Sequence, residues 1–256
     1  MKNLVLGIVI VCICFGCDKV RDILDTQLTK EEVIAGLKEA LEIGAKNSSE
    51  SASKVDGFYK NPKIFIPWPP EAQAMKDAME NVSSILILSS FNFEDQIRAF
   101  EKSMNNAAEE AAKGAFTVFK GAITEMTIAD GFAILNGADT AATHYMRVHA
   151  SAPLKTKFSP IVKTAIDKVK VTSYWTPLST KYNEANQKIL DYNKTIVGQL
   201  APIEPFGPAV NPNLEEYITY KAINGLMTLI ADEEIKIRTD PAARVTDLLK
   251  KVFGNK

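Results

Sequence analysis

The two histidines are the first residues to examine for chemistry, because an imidazole can act as a general base or bind a metal ion. His144 and His149 lie five positions apart. On a helix this spacing points the two side chains about 140° apart, so they do not share a face. The sequence also lacks HExxH and any Glu-x-x-His pair, the helical patterns that bind zinc or two iron ions. We therefore expect no metal site.

Motifs for nucleophilic catalysis and nucleotide binding are missing as well. Ser151 is close to His149 along the chain, but no GxSxG nucleophile turn is present. The glycine patterns GxGxxG and GxxxxGKS/T, whose loops cradle phosphates, do not occur. We expect no cofactor, and the motifs leave any catalytic residue unknown.

Four charged residues near the C-terminus depart from a plain amphipathic helix: Glu234, Arg238, Asp240 and Arg244. At about 100° per residue, Glu234 and Arg238 each lie about 20° from the direction of Met227, so both extend an otherwise apolar face. The preferred interpretation is a hinge, in which paired charges fix the corner between two helices. The alternative is a site for an anion or a carboxylate ligand. Arginine donates bidentate hydrogen bonds to such groups, and the last helix is expected to begin at Asp240 with its N-terminus nearby.

A second unusual stretch is DGFYKNPKIFIPWPP, at residues 56–70. Its prolines exclude a continuous helix, yet Phe58, Tyr59, Phe65 and Trp68 are too apolar for a solvated loop. We predict a proline-rich extended arm that packs on the helices. In the alternative, the arm is a lip that closes a groove between helices, or a segment that binds a partner.

The elements that position these residues are helical. Apolar residues recur at helical spacing through most of the chain, and few stretches alternate with the period of a strand. Caps and prolines divide the chain into helices expected from Thr29 to about Lys46, Pro70 through Val82, Asn92 through Met126, Thr127 to Gly137, Asp139 to about Ala150, Ser151 through Val169, Trp175 to Leu200, Asn213 to about Arg238, and from Asp240 onward. The predicted fold class is all-α, a multi-helix bundle with the arm packed on it.

The first residues have the pattern of an export signal. Lys2 precedes an apolar run from Leu4 to Phe15, which is too short to cross the roughly 30 Å of bilayer hydrocarbon and is typical of a signal peptide. Gly16 and Cys17 follow, and a small residue directly before a cysteine resembles the bacterial lipobox, in which the cysteine becomes lipidated. The alternative is a simple secretory peptide with an incidental cysteine.

We accordingly divide the chain into a lipoprotein signal peptide (1–16), a lipidated tether (17–28) and a single helical domain (29–256). The other two cysteines fall in the signal peptide, so the mature domain has no thiol for catalysis, redox chemistry or metal binding. The predicted location is a bacterial membrane, in the periplasm or at the outer membrane, reached through lipid on Cys17.

Charge and composition exclude some classes of partner. Lys and Arg number 30 against 31 Asp and Glu, a formal net charge of −1, which argues against a nucleic-acid partner. With 46% hydrophobic and 24% charged residues, the chain has the composition of a globular protein.

Three stretches resemble a known family: residues 56–70, residues 122–147 (AITEMTIADGFAILNGADTAATHYMR) and residues 217–254 (YITYKAINGLMTLIADEEIKIRTDPAARVTDLLKKVFG). Together they are similar to the bacterial domain-of-unknown-function family numbered 4197, which comprises predicted secreted or lipid-anchored helical proteins. The resemblance covers most of the chain from about Leu28, and its C-terminal stretch is the most specific. It implies an exported, helical protein and implies no activity.

Two functional hypotheses follow. The first is a non-enzymatic, lipid-anchored envelope protein that binds a small molecule or another envelope protein. The second is an envelope hydrolase that uses carboxylates such as Glu233, Glu234 and Asp240. An enzyme needs a concave pocket that gathers several ionisable groups, whereas a binding module presents a groove or an apolar patch.

Overall fold

The computed structural model describes residues 28–83, 93–129, 131–210 and 213–254. Within these ranges the chain forms nine α-helices, two short 3-10 turns and no β-strand, which confirms the all-α prediction. The helices are α1 (Lys30–Ala52), α2 (Gln73–Ser83), α3 (Phe93–Glu125), α4 (Gly131–Leu135), α5 (Ala141–Lys168), α6 (Val171–Asn193), α7 (Ile196–Leu200), α8 (Glu215–Thr239) and α9 (Asp247–Phe253). The 3-10 turns are Pro70–Ala72, before α2, and Pro241–Ala243, between α8 and α9.

Four long helices, α1, α3, α5 and α8, make the core of the bundle, and each packs mainly on two of the others. Neighbours run antiparallel, as the cross-helix hydrogen bonds show. One end of the bundle, which we call the α1 pole, therefore holds the start of α1 together with the end of α3. There Lys38 donates to the carbonyl of Thr124 over 2.9 Å. The opposite end, where α3 begins, is the α3 pole.

Local sequence explains why these helices form and how closely they pack. A capping box is present at the start of α1: Glu32 N donates to Thr29 Oγ1, and Thr29 N donates to the Glu32 carboxylate, both over 3.1 Å. In the middle of α3 the buried apolar side chains are small, which lets partner helices approach. They are Ala107, Ala108, Ala111, Ala112 and Ala115.

Two predicted helix ends are wrong because burial overrides local breaking signals. Helix α1 continues past Lys46 to Ala52. Ser48 and Ser49 there are buried, and Ser49 Oγ donates to the carbonyl of Ala45 over 2.7 Å. Helix α5 is continuous from Ala141 to Lys168, although the sequence predicts a break near Ser151. Buried residues of α5 continue on both sides of Pro153 and Pro160. Their packing offsets the loss of the backbone hydrogen bonds that proline cannot donate.

Two predictions toward the C-terminus also need correction. The helix expected from Trp175 to Leu200 is two helices, because α6 ends at Asn193 and Thr195 caps the short α7 by accepting from Gly198 N. Asp240 does not start the last helix. Its carboxylate accepts from Ala242 N in the 3-10 turn, and α9 begins later, with Thr246 as its cap.

Residues 53–69 connect α1 to the first 3-10 turn without a helix and include most of the predicted arm. Phe58, Ile64, Ile66 and Trp68 are all at most 4% exposed, so this segment contributes to the core. Tyr59 and Phe65 are half-buried, with ring centroids 6.0 Å apart.

The predictions for the N-terminus lie outside the described residues. They are the signal peptide at 1–16, the lipidated Cys17 and the tether up to residue 27. Of the helices that are described, none is long and apolar enough to pass through a bilayer.

Candidate functional site

Glu234 lies on the buried face of α8, 1% exposed, and accepts hydrogen bonds from the start of α5. Its Oε1 accepts from Ala142 N over 2.9 Å, and its Oε2 accepts from Thr143 N over 2.7 Å and Thr143 Oγ1 over 2.6 Å. The residue at the N-cap position of α5, Thr140, makes no side-chain cap of its own. The Glu234 carboxylate therefore supplies the missing cap from another helix and places a negative charge at the positive end of α5.

Arg238, one turn further along α8, connects Glu234 to the end of α4. Its Nε and Nη2 donate to Glu234 Oε1 over 2.9 and 2.8 Å. Its Nη1 donates to the carbonyl of Leu135 over 2.8 Å, and Nη2 to that of Ile134 over 3.2 Å. The guanidinium also lies 5.5 Å from the ring centroid of Phe253 in α9. The i,i+4 pair predicted from the sequence is thus buried.

Arg244 folds back onto the end of α8. Its Nε donates to the carbonyl of Ile237 and its Nη2 to that of Arg238, both over 2.9 Å. These are among the carbonyls that a helix end leaves without an intrahelical partner. Asp240, the fourth charged residue of the predicted corner, is instead exposed, and its carboxylate accepts from Ala242 N within its own turn.

Glu234, Arg238 and Arg244 together form what we call the helix-end clamp. An anion lies at one helix N-terminus and a cation at each of two helix C-termini. Each charge therefore lies at a helix end whose partial charge has the opposite sign, which is favourable. The sequence placed these three residues together but gave no signal for their partners, since the termini of α4 and α5 are remote in sequence. The clamp directs the hydrogen bonds of its charged groups to protein atoms.

Two polar residues that sequence reasoning missed hold the 53–69 segment on α3. Glu109 Oε1 accepts from the amides of Phe58 and Tyr59, both over 3.1 Å. Asn105 accepts from Ile66 N over 2.8 Å and donates to Ile66 O over 2.9 Å. Both lie on the buried face of α3, one turn apart. A polar pair with i,i+4 spacing inside an apolar stripe is a readable signal, because buried polar groups need partners.

An aromatic cluster joins the end of this segment to α3 and α6. The Trp68 ring meets those of Phe100 and Trp175 edge-on, with centroids 5.0 and 5.6 Å away, and Phe100 stacks on Trp175 at 4.7 Å. Trp68 Nε1 donates to the carbonyl of Ala72 over 2.8 Å. This end of the predicted arm is therefore fixed to the helices.

Beside this cluster is a cleft of about 350 Å³, which we call the aromatic cleft. Its apolar walls include Pro69, Ala72, Trp175, Leu214, Tyr217 and Tyr220. Charged residues also line it: Glu71, Lys155 and Glu216, of which the last two form an ion pair at 2.5 Å. A mainly apolar concave surface with a few polar groups is the usual form of a small-molecule site.

Tyr217 is fixed in this cleft. Its hydroxyl donates to the carbonyl of Pro67 over 2.9 Å. Burial raises the pKa of the Tyr217 phenol above its ordinary value, and the negative charges of Glu71 and Glu101 raise it further. The phenol therefore stays protonated and acts as a hydrogen-bond donor.

The histidines do not join either region. His144 and His149 are exposed, and the His149 ring lies 4.1 Å from that of Tyr145. Nowhere in the described ranges do three or more His, Cys, Asp or Glu side chains gather in a way that could hold a metal ion.

Comparison with known proteins identifies the family alone. Neither a curated protein nor a solved structure matches the chain. The model of a family described as "protein of unknown function (DUF4197)" matches residues 27–254, which covers the whole bundle, the helix-end clamp and the aromatic cleft. The chain belongs to this family.

Proposed function

We propose that this protein is a lipid-anchored binding module of a bacterial cell envelope, and that the aromatic cleft takes a small, largely apolar ligand. The cleft is the observation that carries the proposal. Its walls are aromatic and aliphatic, and the Tyr217 hydroxyl, which donates its one proton to Pro67 O and keeps its oxygen as an acceptor, lies in the same cleft as the ion pair of Lys155 and Glu216. Such a surface suits a ligand with an aliphatic or aromatic body and few polar groups.

The hydrolase alternative depends on carboxylates that serve other purposes in the fold. Glu234 is buried and caps α5. Glu233 accepts from Asn47 over 2.6 Å and also bonds to Lys236. Asp240 closes its own turn. The binding role is therefore the better-supported proposal.

For the corner at Glu234, Arg238, Asp240 and Arg244, we propose the hinge and not the ligand site. The two arginines donate to backbone carbonyls and to Glu234. The helix N-terminus that an anion site needs begins after Thr246 and not at Asp240. The corner then fixes how α8 meets α4, α5 and α9.

Native mass spectrometry of the protein purified from its own membranes tests the cleft. We expect a bound small molecule that is lost in Tyr220→Ala and retained in Tyr174→Ala. Tyr220 lines the cleft and is 62% exposed, whereas Tyr174 lies outside it and is 42% exposed, so neither change should unfold the bundle. Adding the molecule back should alter the fluorescence of Trp175, which lines the cleft.

Two results would overturn this proposal. One is a bound molecule that survives Tyr220→Ala unchanged, which would place it elsewhere. The other is a protein that carries no molecule and whose fluorescence does not respond to a panel of aliphatic and aromatic amphiphiles.

Cell fractionation tests the anchor. Each buried methylene of an attached acyl chain contributes about 0.8 kcal/mol, so several chains hold a protein firmly. The wild type should sediment with membranes, and a Cys17→Ser variant freed of its signal peptide should be soluble. Complete membrane retention of that freed variant would show that Cys17 is not the anchor.

A further inference from the structure

Five large apolar side chains are exposed within a short stretch that follows α6. They are Ile196 (81% exposed), Val197 (63%), Leu200 (83%), Ile203 (50%) and Phe206 (44%). We call residues 196–206 the apolar tip. From Thr195 to Ile203 the chain has no charged residue. Single exposed apolar residues are ordinary on protein surfaces, but a continuous group of them marks a binding surface.

The tip is held in place by asparagines of α6. Asn193 donates to Ile203 O over 2.7 Å and accepts from Ile203 N over 2.9 Å. Asn186 accepts from Phe206 N over 2.9 Å and donates to the carbonyl of Gly207 over 3.0 Å. Asn183 makes the same pair of bonds with Val210, at 2.9 and 3.1 Å. Three side-chain amides thus hold the backbone that follows α7. The chain there is fixed in a conformation in which its apolar side chains are exposed.

The tip lies at the α3 pole, away from the start of α1. Trp175 near the start of α6 stacks on Phe100, two turns into α3, and α6 continues toward the beginning of α3. The chain enters the bundle at Thr29, at the α1 pole. A 33-residue helix such as α3 is about 50 Å long, which sets the separation between the two ends.

The exposed area of the tip favours a lipid surface over a protein partner. Taken together, the five side chains expose about as much as three complete ones. A stable protein interface buries about 800 Å² on each partner, which is more than these five residues expose by themselves. A lipid surface needs no such area when a second attachment already holds the protein close to it.

We propose that the apolar tip inserts into the interfacial layer of a lipid bilayer. The inference rests on the proposed anchor at Cys17, which brings a bilayer within reach: residues 17–28 span at most about 40 Å. The bundle then lies along the membrane, tethered at the α1 pole and inserted at the α3 pole.

The test uses a matched pair of valine replacements in the full chain, Val197→Trp in the tip and Val55→Trp outside it. Both valines are exposed, at 63% and 92%, and the two native tryptophans are buried and common to both variants. Each variant is mixed with vesicles of phosphatidylethanolamine and phosphatidylglycerol whose acyl chains are brominated. The tryptophan at 197 should lose most of its added fluorescence and shift to shorter wavelength, while the tryptophan at 55 should do neither.

Equal quenching of the two variants, or none in either, overturns the inference. Intact mass shows separately whether Cys17 carries lipid, so failure of the anchor and failure of the tip are read from different measurements. A blue shift at 197 without vesicles, accompanied by dimers in sedimentation velocity, would assign the tip to a second copy of the chain and would also overturn the inference.

Discussion

Replacing Arg238 with alanine removes the central member of the helix-end clamp. The Glu234 carboxylate would remain buried without its cation, and the carbonyls of Ile134 and Leu135 would lose their donors. Breaking a buried ion pair by removing one partner lowers the free energy of unfolding by about 3–5 kcal/mol. Because Glu234 keeps three donors from α5, we expect the lower end, about 3 kcal/mol. For a domain of this size that loss lowers Tm by roughly 6–12 °C.

The assay is thermal unfolding of the mature domain followed by circular dichroism. Arg98→Ala is the matched control, since Arg98 pairs with Glu94 and Asp95 on the surface with 57% of its side chain exposed. Exposed pairs contribute about 1 kcal/mol or less. If Arg238→Ala melts within a degree or two of Arg98→Ala, the clamp does not stabilise the fold as argued.

The same melting experiment separates the two interpretations of the corner. A hinge predicts that phosphates and carboxylates leave the Tm of the wild type unchanged. A ligand site predicts that one of these anions raises the Tm of the wild type and does not raise that of Arg244→Ala. The second outcome would refute the hinge.

Three other predictions concern the arm and the start of the bundle. Asn105→Ala should lower the free energy of unfolding by roughly 1–3 kcal/mol and speed hydrogen exchange at the Ile66 amide, and unchanged exchange there would contradict the role given to Asn105. The fluorescence of both tryptophans should resist acrylamide because both are buried, and free quenching would show that the cluster around Trp68 is open. The hydrogen bond from Lys251 lowers the pKa of Glu32 below its ordinary 4.5. The stability that this bond adds is therefore complete above pH 4.5 and is lost as the pH falls through the lowered pKa. Lys251→Met should therefore melt below the wild type at pH 7 and close to it at low pH, and a difference that persists in acid would assign the effect to packing.

Local patterns were enough to predict the helical class and several of its details. The capping box of Thr29 and Glu32 and the i,i+4 pair of Glu234 and Arg238 depend on residues at most one turn apart. Short-range geometry fixes such contacts wherever a helix forms.

Features set by distant residues could not be predicted in the same way. The serines after Lys46 read as a turn, yet α1 extends through them because its inner face packs on α8. Helix α5 passes through Pro153 and Pro160 for a similar reason. The walls of the aromatic cleft come from four separate parts of the chain. The periodicity of one segment does not indicate which other segments it will contact.

The helix-end clamp also joins parts of the chain that are synthesised at different times. Glu234 is made 92 residues after Ala142, and Arg238 is made 103 residues after Leu135. A ribosome adds about 5–20 residues each second, so the termini of α4 and α5 wait for several seconds before their caps exist. Among the described helices, α1 is made first, and it packs on α8 and α9, which are made last. The bundle therefore cannot close until its last helices are made, and until then α1 keeps uncovered the face that packs on α8 and α9.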